Sequence, residues 1–176
     1  MLGQYNFKRW LDTKRIDEKL ETLIIDYMTE KEIQEYPNFG GFMDWGNNRL
    51  VSRNNYSEID TKGIMHHEFE HFLSSEIFME TFSGFINEGM TEYLKEIYDN
   101  ESFKSYNENV ALVKFMHIHL GDALVKAYFM GDCALIEGRL KKYLGDKEFS
   151  EFIQDLKALY SLDIRILIQV NTKINL

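Results

Sequence analysis

The stretch His67-Glu68-Phe69-Glu70-His71 has the pattern H-E-x-x-H. In an α-helix, two residues that are four apart lie about 40° from one another on the same face, so both histidines can reach one cation. Glu68 lies beside that face, where a carboxylate is better placed to take a proton from an attacking water than to bind the same cation. The motif therefore predicts a helix that carries a metal-dependent hydrolytic site.

The segment around this motif and a later one have the apolar spacing of helices. Thr61 to Ser75 is predicted to be a helix, and a second apolar-patterned segment carries Glu88 and Glu92, which are also four residues apart. The apolar residues are Ile64, Met65, Phe69, Phe72 and Leu73 in the first segment and Phe85, Ile86, Met90, Tyr93, Leu94 and Ile97 in the second. Two facing helices can thus each offer two polar groups to one point.

Over about residues 40 to 95, this combination resembles the gluzincin clan of zinc metallopeptidases, and the small, minigluzincin-like members most closely. The resemblance implies that zinc is bound by His67, His71 and Glu88, the last lying in an N-E-G stretch like that of zinc aminopeptidases. It implies that Glu68 is the general base. Glu92 occupies the position from which an acidic residue orients a ligand histidine through a hydrogen bond.

The chain also departs from the best-known members of that clan. The gap between His71 and Glu88 is somewhat shorter, and the G-x-M-E-N element of the aminopeptidases is missing upstream. Exopeptidase activity is therefore unsupported, and an endopeptidase is the expectation.

Amide hydrolysis also needs a donor to the oxyanion that develops on the carbonyl, and gluzincins often use a Tyr or His beyond the third ligand. The candidates here are His117, His119, Tyr106 and Tyr128. Tyr128 is the favoured one. His66 neighbours the first ligand but points about 100° away, so we interpret it as surface or substrate-cleft lining and not as a ligand.

Composition and charge narrow the classes of function. The chain has 176 residues, of which 44% are hydrophobic, and no Pro/Gly/Ser-rich linker divides it. Residues 1–176 are therefore predicted to form a single domain, and the resemblance implies that it is a zincin-like peptidase domain. The net charge of −9 argues against nucleic acid and anionic membranes as partners and leaves a peptide or protein substrate. The oligomeric state stays open.

Cysteine content and hydropathy indicate in which cellular compartment the protein is expected. Cys133 is the only cysteine, so no internal disulfide can form and a four-cysteine zinc site is excluded. The sequence has no apolar run of about eighteen residues and no signal-peptide pattern at its start. We expect no membrane insertion and a soluble, cytoplasmic protein, or a secreted one if a leader has been removed.

The predicted fold class is α+β, mostly helical with a small β-hairpin before the metal-binding helix. A helix is predicted from Asp17 to Tyr36, and a hairpin is predicted from residues 42–45 and 49–52. The hairpin is either the strand that receives an extended substrate or an ordinary structural one. Further helices are predicted at Asn107–Leu120, Asp122–Met130, Asp132–Leu144 and Lys147–Tyr160, whereas Ile164–Val170 is either a strand or a helix end.

Three functions are compatible with these patterns. The first is a zinc-dependent peptidase, and the second is a non-catalytic zinc-binding regulatory or interaction module on a peptidase-like fold. The third is a helical interaction domain with an accidental motif. Metal content separates the third from the others, and peptide hydrolysis separates the first two.

Overall fold

The computed structural model describes residues 11, 13–37, 39–54, 57–99 and 106–174, and for 58–60, 98–99 and 162–174 it describes the backbone alone. The elements are α1 (Thr13–Leu20), β1 (Ile24–Tyr27), α2 (Glu30–Glu35), β2 (Gly41–Asp44), β3 (Arg49–Ser52), α3 (Glu58–Leu73), α4 (Glu76–Phe82), α5 (Gly84–Asp99), α6 (Asn107–Leu120), α7 (Asp122–Met130), α8 (Ala134–Leu144) and α9 (Asp146–Ile174). The predicted α+β class is confirmed, because the described chain is mostly helical with one small sheet.

The sheet has the strand order β1-β3-β2, so β3 is central. The predicted hairpin is confirmed: β2 and β3 are antiparallel, with Met43 opposite Leu50. The Asp44 carboxylate stabilises the turn by accepting hydrogen bonds from the backbone and side-chain amides of Asn47. The third strand, β1, runs parallel to β3.

The outer edge of β2 faces α3. Arg53 N–H donates to the Gly40 carbonyl at 2.8 Å, and antiparallel pairing alternates along a strand, so the N–H groups of Gly41 and Met43 point away from β3. A Cβ on Gly41 would lie 2.7 Å from Ile64 Cγ2. This close approach requires glycine and brings the edge of the sheet against the helix that carries the H-E-x-x-H motif.

The predicted helix from Asp17 to Tyr36 is wrong. The segment divides into α1, β1 and α2, because the backbone of β1 pairs with β3, starting where Ile24 N–H donates to the Asn48 carbonyl at 3.0 Å. Of the side chains that suggested a helical stripe, Ile24 and Tyr27 stay 51% and 57% exposed, whereas Met28 is buried. Non-local pairing thus outweighed a local pattern that buries little.

The remaining helices follow the sequence pattern closely. The predicted bounds of α6 and α7 match to the residue, α8 begins at Ala134, and α9 continues as a helix through 164–170. The helices together form one hydrophobic core. Its most buried members lie on α3, α4, α5, α7 and α8 and include Phe72, Phe78, Phe82, Ile86, Met90, Leu94, Leu124, Phe129 and Ile136. None of the helices in the described part of the chain combines the length and hydropathy needed to traverse a bilayer.

Helix α3 is anchored at its C-terminal end by an arginine from α1. The Arg15 guanidinium donates to the carbonyls of Leu73 at 2.9 Å and Phe129 at 2.8 Å, and to that of Ser74 at 3.3 Å. The last carbonyls of a helix have no partner within the helix, so this contact satisfies them and ties α3 to α7.

Helix α6 packs closely against α5 at Gly89. A Cβ at this position would lie 2.6 Å from the Asn109 carbonyl oxygen and 2.9 Å from Val113 Cγ2. Because the nearest obstacle is backbone, it cannot rotate aside. Gly89 therefore sets how closely α6 supports the helix that carries Glu88.

We predict that Gly89→Ala destabilises the protein by about 1–3 kcal/mol, the typical cost of inserting a methyl group into a packed contact. The matched control is Gly138→Ala, an exposed position within α8 where a Cβ would meet nothing within 4 Å. There, the higher helix propensity of alanine should stabilise by roughly 0.5–1 kcal/mol. Urea unfolding of both variants provides the measurement, and equal shifts of the same sign would contradict the close contact.

Candidate metal centre

Two histidines from α3 and one glutamate from α5 converge on one point. His67 Nε2 lies 3.0 Å from His71 Nε2 and 3.0 Å from Glu88 Oε2. His71 Nε2 lies 3.4 Å from Glu88 Oε2. The three atoms therefore form a nearly equilateral triangle, and all three side chains are largely shielded from solvent.

The size of this triangle fits a metal ion. Ligand atoms about 2.0–2.1 Å from a tetrahedral ion lie roughly 3.3–3.4 Å apart, close to the separations seen here. Among the described residues, one group of three His, Cys, Asp or Glu side chains has its ligand atoms within 4.8 Å of one another. Its members are His67, His71 and Glu88. They could hold a metal ion and leave a coordination position open, whereas Glu68, His66 and Glu92 are not in the group.

Glu92 contacts the other nitrogen of the first histidine. His67 Nδ1–H donates to Glu92 Oε1 at 2.6 Å, and the Glu92 side chain is only 3% exposed. The helical spacing explains why the two glutamates divide these tasks: Glu92 lies one turn after Glu88 on α5, and the imidazole is long enough to span both. Glu92 therefore fixes which nitrogen of His67 faces the triangle.

The second histidine has its own support from α5, which the sequence analysis missed. Asn87 Nδ2 lies 2.8 Å from His71 Nδ1, and Thr91 Oγ1 lies 3.3 Å from the same atom. No described residue donates to the buried Asn87 Oδ1. If His71 binds a metal through Nε2, its Nδ1 carries a proton, and turning the amide over would let Oδ1 accept that proton. The available signal was the four-residue spacing of Asn87 and Thr91 beside the N-E-G glutamate.

The charges at the triangle are tightly coupled. Burial opposes protonation of His67, but its hydrogen bonds to Glu88 and Glu92 prevail and raise its pKa to about 10. Burial likewise opposes ionisation of Glu88, but His71 and His67 hold the pKa of that carboxyl well below its usual range. Since a metal takes neutral imidazole as a ligand, metal binding displaces the proton of His67, and affinity should rise with pH up to that value.

Glu68 lies beside the triangle and against the sheet. Burial raises the pKa of its carboxyl, although His67 and His71 oppose the shift. The backbone N–H of Met43, on the outer edge of β2, lies near the carboxylate and slightly opposes this rise in pKa. The Glu68 side chain therefore lies between the metal-binding face of α3 and the edge of the sheet.

Two tyrosines lie near the triangle, one at the residue before α6 and one on α9. The Tyr106 ring stacks on His67, with ring centroids 5.7 Å apart and planes inclined by 15°. The Tyr160 hydroxyl, from α9, lies near enough to the Glu88 carboxylate for the two groups to interact electrostatically. The charge of Glu88 chiefly raises the pKa of Tyr106, and burial chiefly raises that of Tyr160, so both hydroxyls keep their protons at neutral pH. Tyr106 was among the sequence candidates, but Tyr160 was not, since nothing local distinguishes it.

The favoured candidate, Tyr128, occupies a different place. Its hydroxyl is buried, 2.8 Å from Thr91 Oγ1 and 3.3 Å from the Glu70 carbonyl. It therefore lies on the Nδ1 side of His71, away from the open side of the triangle, and this position does not suit the oxyanion role. Likewise, the structure places His117 against Tyr93, in the contact between α5 and α6, and His119 on the exposed face of α6.

No protein family, no curated protein and no solved structure matches the chain. The geometry of His67, His71 and Glu88 is thus the main support for any function.

We predict that replacing Glu88 and replacing Glu92, both on α5, have different effects on zinc binding. Glu88→Ala removes an atom of the triangle and should release most of the metal from a zinc-loaded protein. Glu92→Ala should leave a loaded protein with affinity reduced by about 10–100-fold, the usual effect of losing the partner of a ligand histidine. Zinc titration and elemental analysis of both variants provide the test. An empty site in Glu92→Ala with a filled one in Glu88→Ala would show that the two roles are exchanged.

Proposed function

We propose that the protein is a zinc-dependent metallopeptidase with a zincin-like fold of the gluzincin type. The observation that carries the proposal is the triangle of His67 Nε2, His71 Nε2 and Glu88 Oε2, with the buried Glu68 carboxylate beside it. Two imidazoles and one carboxylate are the donor set of many catalytic zinc sites, and they leave a position for water or substrate.

The chemistry divides between the metal and the protein. Bound zinc would polarise the scissile carbonyl and make water a stronger nucleophile at neutral pH. Glu68 takes the proton of the attacking water, a task that suits a carboxylate whose pKa is raised by burial. As the C–N bond breaks, the same carboxyl passes the proton to the departing amine.

The edge of β2 is a suitable dock for an extended peptide. The N–H groups of Gly41 and Met43 point away from β3, and that of Met43 would exchange its interaction with Glu68 for one with a peptide carbonyl. A peptide that pairs with this edge places its backbone carbonyls beside the catalytic carboxylate. This favours the substrate-binding interpretation of the hairpin over a purely structural one and agrees with endopeptidase activity.

Tyr160 and Tyr106 are the proposed sources of the oxyanion donor. Both hydroxyls keep their protons at neutral pH. The charge of Glu88 acts on both hydroxyls, and Tyr160 is preferred because its hydroxyl interacts with Glu88 as a potential hydrogen-bond donor. Tyr106 is expected to hold the His67 ring through their stacking contact.

We predict that Glu68→Gln keeps its zinc but loses activity by at least ~10²–10⁴-fold, because glutamine preserves the shape of the side chain and cannot accept the proton. Cleavage of a proteome-derived peptide library, with wild type and variant at equal zinc content, provides the measurement. Near-normal cleavage by the variant would refute the mechanism. A wild type that binds zinc and cleaves nothing would favour the non-catalytic zinc-binding module.

We predict that Tyr160→Phe lowers kcat by about 10²–10³-fold with little change in zinc content, as expected when one oxyanion donor is lost. Tyr106→Phe keeps the stacking ring and should lose much less. Tyr143→Phe, at a side chain that is 82% exposed, is the matched control and should behave as wild type. If Tyr106→Phe suffers the larger loss in kcat, the donor is Tyr106.

A further inference from the structure

Helix α5 buries a lysine directly behind the candidate metal centre. The Lys95 side chain has no solvent exposure, and its Nζ lies 3.2 Å from Glu92 Oε1. That oxygen is the one that accepts the hydrogen bond of His67 Nδ1. Three side chains therefore form a chain of contacts that leads from the triangle into the core of the protein.

A fully buried ammonium group destabilises a folded protein unless a partner compensates its charge. Removing the charged end of a lysine from water is unfavourable, and a methionine of similar length would fill the same space without that penalty. An i,i+3 pair that merely stabilises a helix contributes little and does not need burial. The position of Lys95 therefore requires an explanation beyond the stability of α5.

The hydrogen bonds of Glu92 explain why Lys95 is buried at this position. Oε1 receives both donors, whereas no described residue donates to the buried Oε2. With two donors on one oxygen, the carboxylate cannot rotate without losing both bonds at once. Glu92 is thus held in the orientation that directs His67 Nε2 toward the triangle.

Charge balance points the same way. Glu68, Glu88 and Glu92 bring three carboxylates to the neighbourhood of the two histidines, and Lys95 offsets one of them. The negative charge that Lys95 offsets is that of Glu92, the carboxylate that lies against His67 and not in the metal-binding triangle. Buried charges are tolerated best when they are compensated in this way.

We propose that Lys95 is a positioning residue for the metal centre, which acts on His67 by holding the Glu92 carboxylate in place. The inference rests on the metal binding proposed above. Lys95 neither touches the metal-binding atoms nor takes part in proton transfer. The contact that carries this contribution is the one between Lys95 Nζ and Glu92 Oε1, and its effect on zinc affinity is separable from a general role in folding.

The test is a double-mutant cycle in zinc affinity, measured by competition with a chelating dye. The variants are Lys95→Met, Glu92→Gln and the double variant, with Lys114→Met as control because Lys114 pairs with Glu96 at the surface of α5 and α6. Lys95→Met should raise the zinc Kd by about 10-fold in the wild-type background and have no further effect in the Glu92→Gln background. Lys114→Met should change the zinc Kd little.

Unfolding of the metal-free variants in urea separates a role in folding from one in positioning. Equal losses of zinc affinity in both backgrounds, or no loss in either, would overturn the inference while leaving the metal site intact. A wild type that binds no zinc would overturn both the inference and the proposed function. If Lys95→Met does not fold, the same cycle with Lys95→Gln, which keeps a polar end of reduced length, carries the same expectation of non-additivity.

Discussion

His67 sits between two carboxylates of α5, and this contact fixes the distance and rotation of α3 relative to α5. Glu88 and Glu92 reach the two nitrogens of a single ring, so a small slide of either helix would break one bond or both. The rest of the structure limits such a slide. Arg15 ties the end of α3 to α7, and Gly89 lets α6 press against the back of α5.

The polar groups buried between these helices extend well beyond the triangle. His71 contacts Thr91, and Thr91 contacts the Tyr128 hydroxyl, which also reaches the Glu70 carbonyl on α3. A buried network of this kind is costly when incomplete and rigid when complete. Tyr128 therefore contributes to the site by keeping α3, α5 and α7 in register, which is a different role from the one that the sequence suggested.

Local patterns predicted the parts of the site that depend on helical spacing. The H-E-x-x-H helix follows from the positions of its apolar residues, and the glutamates four apart on α5 follow in the same way. Tyr160, Lys95 and β1 could not be found by this reasoning. Tyr160 comes near Glu88 only through the packing of α9, Lys95 is buried only in the folded protein, and β1 exists because β3 offers it a backbone partner.

Burial opposes protonation of His67, but a protonated ring donates to Glu88 from Nε2 and to Glu92 from Nδ1, and these bonds raise its pKa. A metal ion bound by the three side chains would replace the proton between His67 and Glu88 and leave the one shared with Glu92. The proton must depart to solvent before the ring can bind. Occupancy of the site is therefore a competition between a metal ion and a proton for one nitrogen of His67.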